Sequence, residues 1–363
     1  MKQFIKSVGI VGMLLSTLHA EVPLTQKIGE MMMVGFHGTT APKGSQICRD
    51  IKQYHLGGVI LFDYNPVNKN QPKNIATKQQ LAQLTRQLQA CSHDGKLLIA
   101  VDQEGGRVQR LKRKYGFYGK FPKAKSVATM SDSVVRRSYR MMAKELHRVG
   151  INYNLAPVVD LALNPKNRVI FGLGRSFGRD PQQVAHYATL FIDAMHHHGV
   201  LTALKHFPGH GSSLGDTHRG FVDVTHLWQK QELTPYRLLH STADTVMVAH
   251  VFNKRLDSTY PATLSAKTVN GLLRQKLGFE GVVITDDLQM GAIAKKYGLR
   301  NTLKLAINAG DDILLFGNQL DPRKIVTTKR LVMTVRELVK RGAVKRETIE
   351  RAYRRIRRLK QTL

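Results

Sequence analysis

Eight short apolar stretches recur along the chain, at residues 31–36, 58–62, 97–102, 153–160, 201–207, 245–251, 281–286 and 312–317. Each is followed by a polar stretch long enough for a helix. Apolar positions at helical spacing mark 77–91, 133–149, 181–198, 230–240 and 265–277 as helices. Asp180-Pro181 supplies an N-cap and a first-turn proline, and Gly150, Gly199 and Gly278 stand where helix C-caps belong. Strands that are apolar throughout, instead of alternating, are buried on both faces of a parallel sheet. Eight strand–helix units in about 320 residues predict a single α/β (β/α)8 TIM-type barrel. An open doubly wound sheet is the alternative.

Residues 323–363 continue the helical spacing, with Ile325, Leu331, Val332, Val335, Leu338 and Val339 in one series and Ile349, Tyr353, Ile356 and Leu359 in the next. They predict two extra C-terminal amphipathic helices on the barrel's outer wall. The segment holds fifteen Lys and Arg against three Glu, so its polar side is a strongly basic, solvated face. No Pro/Gly/Ser-rich linker and no internal repeat interrupts residues 21–363, which read as one barrel domain.

Residues 1–20 have a different character. Lys2 and Lys6 precede an apolar run at 8–18 that ends at His19-Ala20, the pattern of a secretory signal peptide. A membrane span needs about 20 apolar residues, so no stable anchor is expected after cleavage. The mature chain is therefore expected in the periplasm or outside the cell, and in the cytoplasm if this segment does not act as a signal. An uncleaved N-terminal helix is the competing reading.

Of the 363 residues, 56 are Lys or Arg and 26 are Asp or Glu, giving a formal net charge of +30. With 42% hydrophobic residues the chain can bury a core, which excludes a disordered basic arm. The charge calls for an anionic neighbour such as nucleic acid, a membrane surface or an acidic polymer. Tyr353 is the single aromatic residue after Phe316, so the basic tail has no stacking platform and no nucleic acid partner is expected. Cys48 and Cys91 are the only cysteines. Two free, buried thiols are expected, and an oxidising compartment would permit them to pair. The absence of C-x-x-C excludes a zinc ribbon or a thioredoxin-like motif.

Candidate chemistry collects at the C-terminal ends of the predicted strands, the face of a barrel where catalytic groups gather. The fifth run leads through Lys205 and His206 into a glycine-rich loop that contains Asp216-Thr217-His218. With this spacing a turn lets the carboxylate bond one imidazole nitrogen and leave the other facing a substrate, as a proton-transferring histidine requires. An Asp-capped loop histidine is the structural alternative. The seventh run ends in Asp286-Asp287, of which Asp286 is a candidate nucleophile or ion-pair partner and Asp287 a candidate N-cap for the next helix; the sequence does not show which of the two faces inward, and the roles can be reversed. The third run ends in D-Q-E-G-G-R-V-Q-R at 102–110, where Asp102 can accept sugar hydroxyls and Arg110 offers a rigid fork; Arg175 offers another.

Other readings compete less well. Gly211-Ser212-Ser213-Leu214-Gly215 has the form of a serine-hydrolase elbow, but prolines and glycines, not a strand, precede it. Gly172, Gly174 and Gly178 miss the dinucleotide-binding spacing by one residue. His196, His197 and His198 point in different directions at a helix end, so no metal site is expected there. A secreted basic barrel that binds peptidoglycan without catalysis is the non-enzymatic alternative.

The motifs D-Q-E-G-G-R-V-Q-R at 102–110, G-R-S-F-G at 174–178, K-H-F-P-G-H-G with D-T-H at 205–218 and I-T-D-D-L-Q-M at 284–290 occur in one order over most of the chain. They resemble glycoside hydrolase family 3, and within it the single-domain β-N-acetylhexosaminidases that act on peptidoglycan fragments. The resemblance implies a retaining exo-acting hydrolase that releases terminal N-acetylglucosamine, with no cofactor and no metal. It aligns Asp286 with the nucleophile and His218, oriented by Asp216, with the general acid/base. It aligns Asp102, Arg110, Arg175, Lys205 and His206 with residues that bind the sugar. Thr217 stands where the family often has serine. An anionic cell-wall polymer then becomes the expected neighbour for the basic surface.

Overall fold

The computed structural model describes residues 21–363 apart from Lys69 and Pro322. The signal-peptide expectation for residues 1–20 lies outside the described residues. Eight parallel strands form one sheet: β1 (Met32–Gly35), β2 (Gly58–Ile60), β3 (Leu98–Val101), β4 (Tyr153–Asn154), β5 (Leu201–Phe207), β6 (Thr245–Val248), β7 (Val282–Thr285) and β8 (Leu314–Phe316). Each pairs with its neighbour in sequence, and β8 returns to β1 with Met33 opposite Leu315. A parallel bridge between Ile284 and Ile313 brings β7 to the start of β8, so the sheet curls into a nearly closed barrel. The open-sheet alternative is excluded.

Every apolar run contains a strand because strands wrapped by helices are buried on both faces; β3, β7 and β8 have no exposed residue. The fourth run yields only a two-residue strand, since Pro157 has no N–H to donate to the ladder. Pairing resumes beyond it, where the Val159 N–H bonds the Lys205 carbonyl at 2.8 Å. A second, two-stranded parallel sheet joins Val222–Asp223 to Val251–Phe252 at the mouth of the barrel.

The helices follow the sequence signals with local departures. Thr77 and Gln80 form a capping box on Lys78–Cys91, and Asp180 caps Pro181–His196 through the N–H groups of Gln182 and Gln183. The segment 230–240 divides into a 3-10 turn, Lys230–Leu233, and a short helix, Thr234–Leu239. The two C-terminal helices are Thr328–Lys340 and Arg346–Gln361. They bury Leu331, Val332, Val335 and Leu338, then Ile349, Ile356 and Leu359. Ile325 lies ahead of the first of them and is exposed, so it does not belong to the apolar face. Buried Lys27 and Lys360 fasten the last helix to the helix Leu24–Glu30 through Glu350 (2.7 Å) and Glu30 (2.6 Å).

The expectation of two free thiols is overturned. Cys48, in the helix Gln46–Tyr54, is disulfide-bonded to Cys91, with their Cα atoms 5.3 Å apart. Their helices flank β2 on successive turns of the barrel, a proximity that the 43-residue separation conceals. Among the described residues no helix is long and apolar enough to cross a membrane.

Candidate active site

The ends of the strands meet in a cavity of about 520 Å³ at the C-terminal face of the barrel. All eight sequence-predicted site residues line it: Asp102, Arg110, Arg175, Lys205, His206, Asp216, His218 and Asp286. Their convergence is a property of the fold. Asp102 directly follows β3, Lys205 and His206 end β5, Asp286 directly follows β7, and the rest stand on the loops after β3, β4 and β5.

One wall is an ion cluster. Lys205 Nζ donates to Asp102 Oδ1 at 2.9 Å and lies 2.8 Å from Glu104 Oε1. Arg175 grips Glu104 with both prongs, Nε to Oε2 at 2.8 Å and Nη2 to Oε1 at 2.7 Å. Arg110 reaches Asp102 Oδ2 at 3.3 Å while its guanidinium lies over the Phe62 ring. Burial alone would raise both carboxyls. The cations outweigh it, holding Asp102 below the ordinary range and Glu104 at about 2. Burial lowers the proton affinity of Lys205, but Asp102 and Glu104 more than restore it, so the ammonium stays charged.

A second layer orients His206. Its Nδ1 donates to Asp160 Oδ2 at 2.6 Å, which leaves Nε2 facing Arg175 Nη2 at 3.5 Å and the cavity. Asp160 Oδ1 also accepts the backbone N–H of His206 and of His210. Burial depresses His210 to about 4, so this imidazole is neutral. Its Nδ1 contacts Ser213 Oγ at 2.7 Å. Ser213 is fully buried in a loop and does not line the cavity, which removes the serine-elbow reading.

The opposite side carries Asp286 and the Asp216–His218 pair. Asp286 Oδ1 accepts the Asp287 N–H at 2.8 Å, and Oδ2 has no partner among the described residues. Burial would raise this carboxyl, but the imidazoles of His250, His206 and His218 hold it below the usual value. His250, itself buried, donates Nε2–H to the Asp287 carbonyl at 2.9 Å. Asp287 does not cap the next helix, which starts at Gly291. Its Oδ1 accepts the N–H groups of Gln289 and Gly317, tying the end of β7 to the end of β8, and burial pushes its carboxyl up to about 6. His218 Nδ1 donates to Asp216 Oδ1 at 2.8 Å, leaving Nε2 free on an imidazole that is 55% exposed. This hydrogen bond has the local form that the D-x-H spacing predicts.

The structure adds residues that the motifs left unassigned. Glu104 shares the strand-end D-x-E with Asp102, whose spacing of two was its signal. Asp160 closes the fourth apolar run just as Asp102 and Asp286 close theirs, so the same rule would have found it. Asn167 gave no such signal: it is buried, and its Nδ2 donates to the carbonyls of His210 (2.8 Å) and Gly211 (3.3 Å). Next to it, Arg168 lines the main cavity and also an adjoining one of about 740 Å³ with Lys166 and Arg219 on the Asp216 side.

Residues 23–359 match the glycosyl hydrolase family 3 N-terminal domain. A β-hexosaminidase A from Pseudoalteromonas piscicida is 34% identical over 334 residues, 82% of this chain but 54% of that protein. A β-hexosaminidase from Xylella fastidiosa is 33% identical, over 78% of this chain and 82% of its own length. The solved family 3 β-N-acetylglucosaminidase from Paenibacillus sp. superposes with a TM-score of 0.84 at 33% identity, over 94% of this chain and 63% of that one. The β-N-acetylhexosaminidase from Beutenbergia cavernae gives 0.81 at 29% identity, over 94% and 99%. By sequence and by fold alike, the chain belongs to glycoside hydrolase family 3, whose N-terminal domain it carries over nearly all its described length.

Proposed function

We propose that this protein is a retaining exo-β-N-acetylhexosaminidase that releases terminal N-acetylglucosamine from peptidoglycan-derived glycans. The observation that carries the reading is the cavity shared by an ionised, half-free carboxylate at Asp286 and the Asp216–His218 pair. Asp286 Oδ2 attacks the anomeric carbon while His218, through Nε2, gives its proton to the departing glycosidic oxygen. The resulting glycosyl ester of Asp286 is cleaved by a water that passes its proton to the same histidine. Asp216 holds the imidazole by Nδ1, so both transfers use one nitrogen. Asp102, Arg110, Arg175, Lys205 and His206 surround the sugar with charged donors and acceptors already locked to one another.

The leaving-group side supports an anionic aglycone. Beside Asp216 the adjoining cavity presents Lys166, Arg168 and Arg219, a setting suited to the carboxylates of a peptidoglycan fragment and less to neutral chitooligosaccharides. Exposed Arg346, Arg351, Arg354 and Arg358 on the last helix support contact with an anionic wall polymer. The Cys48–Cys91 disulfide, together with the signal-like residues 1–20, favours a periplasmic or secreted location.

Hydrolysis of a chromogenic β-N-acetylglucosaminide by wild type, Asp286→Ala and His218→Ala tests the mechanism. Asp286→Ala abolishes turnover, and His218→Ala loses most on substrates with poor leaving groups. Full activity of Asp286→Ala overturns the assignment. Comparison of a muramic-acid-bearing disaccharide with chitobiose tests the aglycone: equal kcat/KM at low and high salt removes the peptidoglycan reading.

A further inference from the structure

The loop that bears Asp216 and His218 is fixed at its root by side-chain hydrogen bonds. Asn164 Nδ2 donates to the Ser212 carbonyl (3.0 Å), and Ser212 Oγ donates to Glu232 (2.7 Å). Beyond Ser213 the chain is exposed at Leu214, Arg219 and Phe221, and Arg219 presents 90% of its side chain to solvent. Three donors then seize its middle, all from one short stretch. The N–H of Gly291 bonds the His218 carbonyl and that of Ala292 the Thr217 carbonyl, each at 3.2 Å, and Lys295 Nζ bonds the Arg219 carbonyl at 3.0 Å. Thr217, at the centre of this contact, is buried.

The stretch that supplies these donors begins five residues after Asp286. It is therefore the continuation of the segment that carries the carboxylate. Gly291 is in ordinary right-handed helical conformation, at the start of Gly291–Ala294, so its backbone does not require glycine. Space does. A Cβ there would sit 2.9 Å from the carbonyl carbon and oxygen of Arg219 and 3.0 Å from the His218 carbonyl oxygen. These are backbone atoms, which cannot swing aside as a side-chain tip can.

We propose that Gly291 is a positioning residue for the general acid/base. Its bare backbone lets the dyad loop dock on the nucleophile segment, so that the separation of His218 from Asp286 is set by two hydrogen bonds and a five-residue chain. The proposal rests on the mechanism given above. A methyl group at Gly291 lifts the loop. Alanine is the better helix former of the two, so a loss confined to the latch is separable from a loss of the fold.

The test is a Gly291→Ala variant assayed beside wild type, His218→Ala and Lys295→Ala on aryl β-N-acetylglucosaminides of graded leaving-group pKa. Gly291→Ala is expected to keep its thermal midpoint and its rate of glycosylation by the dinitrophenyl substrate. It is expected to lose about tenfold or more in kcat/KM on the poorest leaving group, within the range that general acid catalysis supplies. Added azide should accelerate turnover of the dinitrophenyl substrate and yield the β-glycosyl azide, because the docked base is no longer needed. Lys295→Ala, which removes one donor without adding bulk, should shift the leaving-group dependence the same way by less. A Gly291→Ala enzyme with wild-type leaving-group dependence and no azide response overturns the latch. If His218→Ala also lacks that dependence, the acid/base assignment itself has failed.

Discussion

Glu104 offers the sharpest test of the ion cluster. Its two oxygens take three charge-assisted hydrogen bonds, two from Arg175 and one from Lys205, in a site where the carboxylate is 7% exposed. Glu104→Gln keeps the shape and deletes the charge, leaving Arg175 and Lys205 without the carboxylate that both of them contact. The carboxyl is lowered from 4.5 to about 2, a difference worth about 3 kcal/mol of stability at pH 7 by linkage. This agrees with the cost of about 3–5 kcal/mol for breaking a buried ion pair from one side. Because the folded-state value is depressed, the stabilisation is complete above the unfolded value and drains away as pH falls toward the folded one. It should therefore shrink to about half at pH 3. Urea denaturation of wild type and Glu104→Gln at pH 7 and pH 3 measures both differences. A variant as stable as wild type, or a deficit that is the same at both pH values, refutes the account.

Removal of the disulfide in Cys48→Ser/Cys91→Ser frees a loop closed over 43 residues, a loss of about 4 kcal/mol by chain entropy, read as a lower melting temperature that reductant no longer changes. Asp311 is 1% exposed with neither carboxylate oxygen hydrogen-bonded among the described residues, and burial raises its pKa well above the usual value. A raised folded-state value costs stability as pH climbs above the unfolded one, so Asp311→Asn should stabilise by about 1–3 kcal/mol at pH 7 and by little near pH 3, as calorimetry would show. Since Asp286 is held below the ordinary carboxylate range, the acid limb of kcat/KM that it causes must lie below about pH 4, and an activated-substrate pH profile will reveal one placed higher.

What the sequence makes legible is whatever one chain segment decides alone. A strand buried on both faces must be apolar along its length, so the eight runs and the polar residues that end them can be read directly. The acid at the end of such a run stands at the mouth end of the barrel, where Asp102 and Asp286 line the cavity and Asp160 lies just beneath it. The D-T-H turn is equally local. What escaped is decided between segments. Glu104 and Arg175 are 71 residues apart, Asp160 and His206 are 46 apart, and the docking of Thr217 and His218 on Gly291 and Ala292 spans two barrel strands, β6 and β7. No periodicity encodes such partners. The same holds for Cys48 and Cys91, whose helices become neighbours only when β2 and β3 lie side by side. Asp287 departs from an N-cap role for a related reason. Its carboxylate finds the Gly317 N–H from the next strand before any helix begins.

The charge of the molecule also divides by partner. Lys205, Arg110 and Arg175 each face Asp102, Glu104 or the buried Asp63, so their charges are largely compensated and add little to the field outside. Lys166 and Arg168, at the rim, have no acidic partner among the described residues, and Arg219 touches Asp216 only at 3.9 Å. An anion approaching the mouth therefore meets the rim's field, undiminished by the cluster beneath it. If that field selects the aglycone, Arg168→Ala should reduce kcat/KM for a carboxylate-bearing disaccharide and leave the chromogenic monosaccharide untouched. An equal loss on both would place Arg168 with the sugar instead of the leaving group.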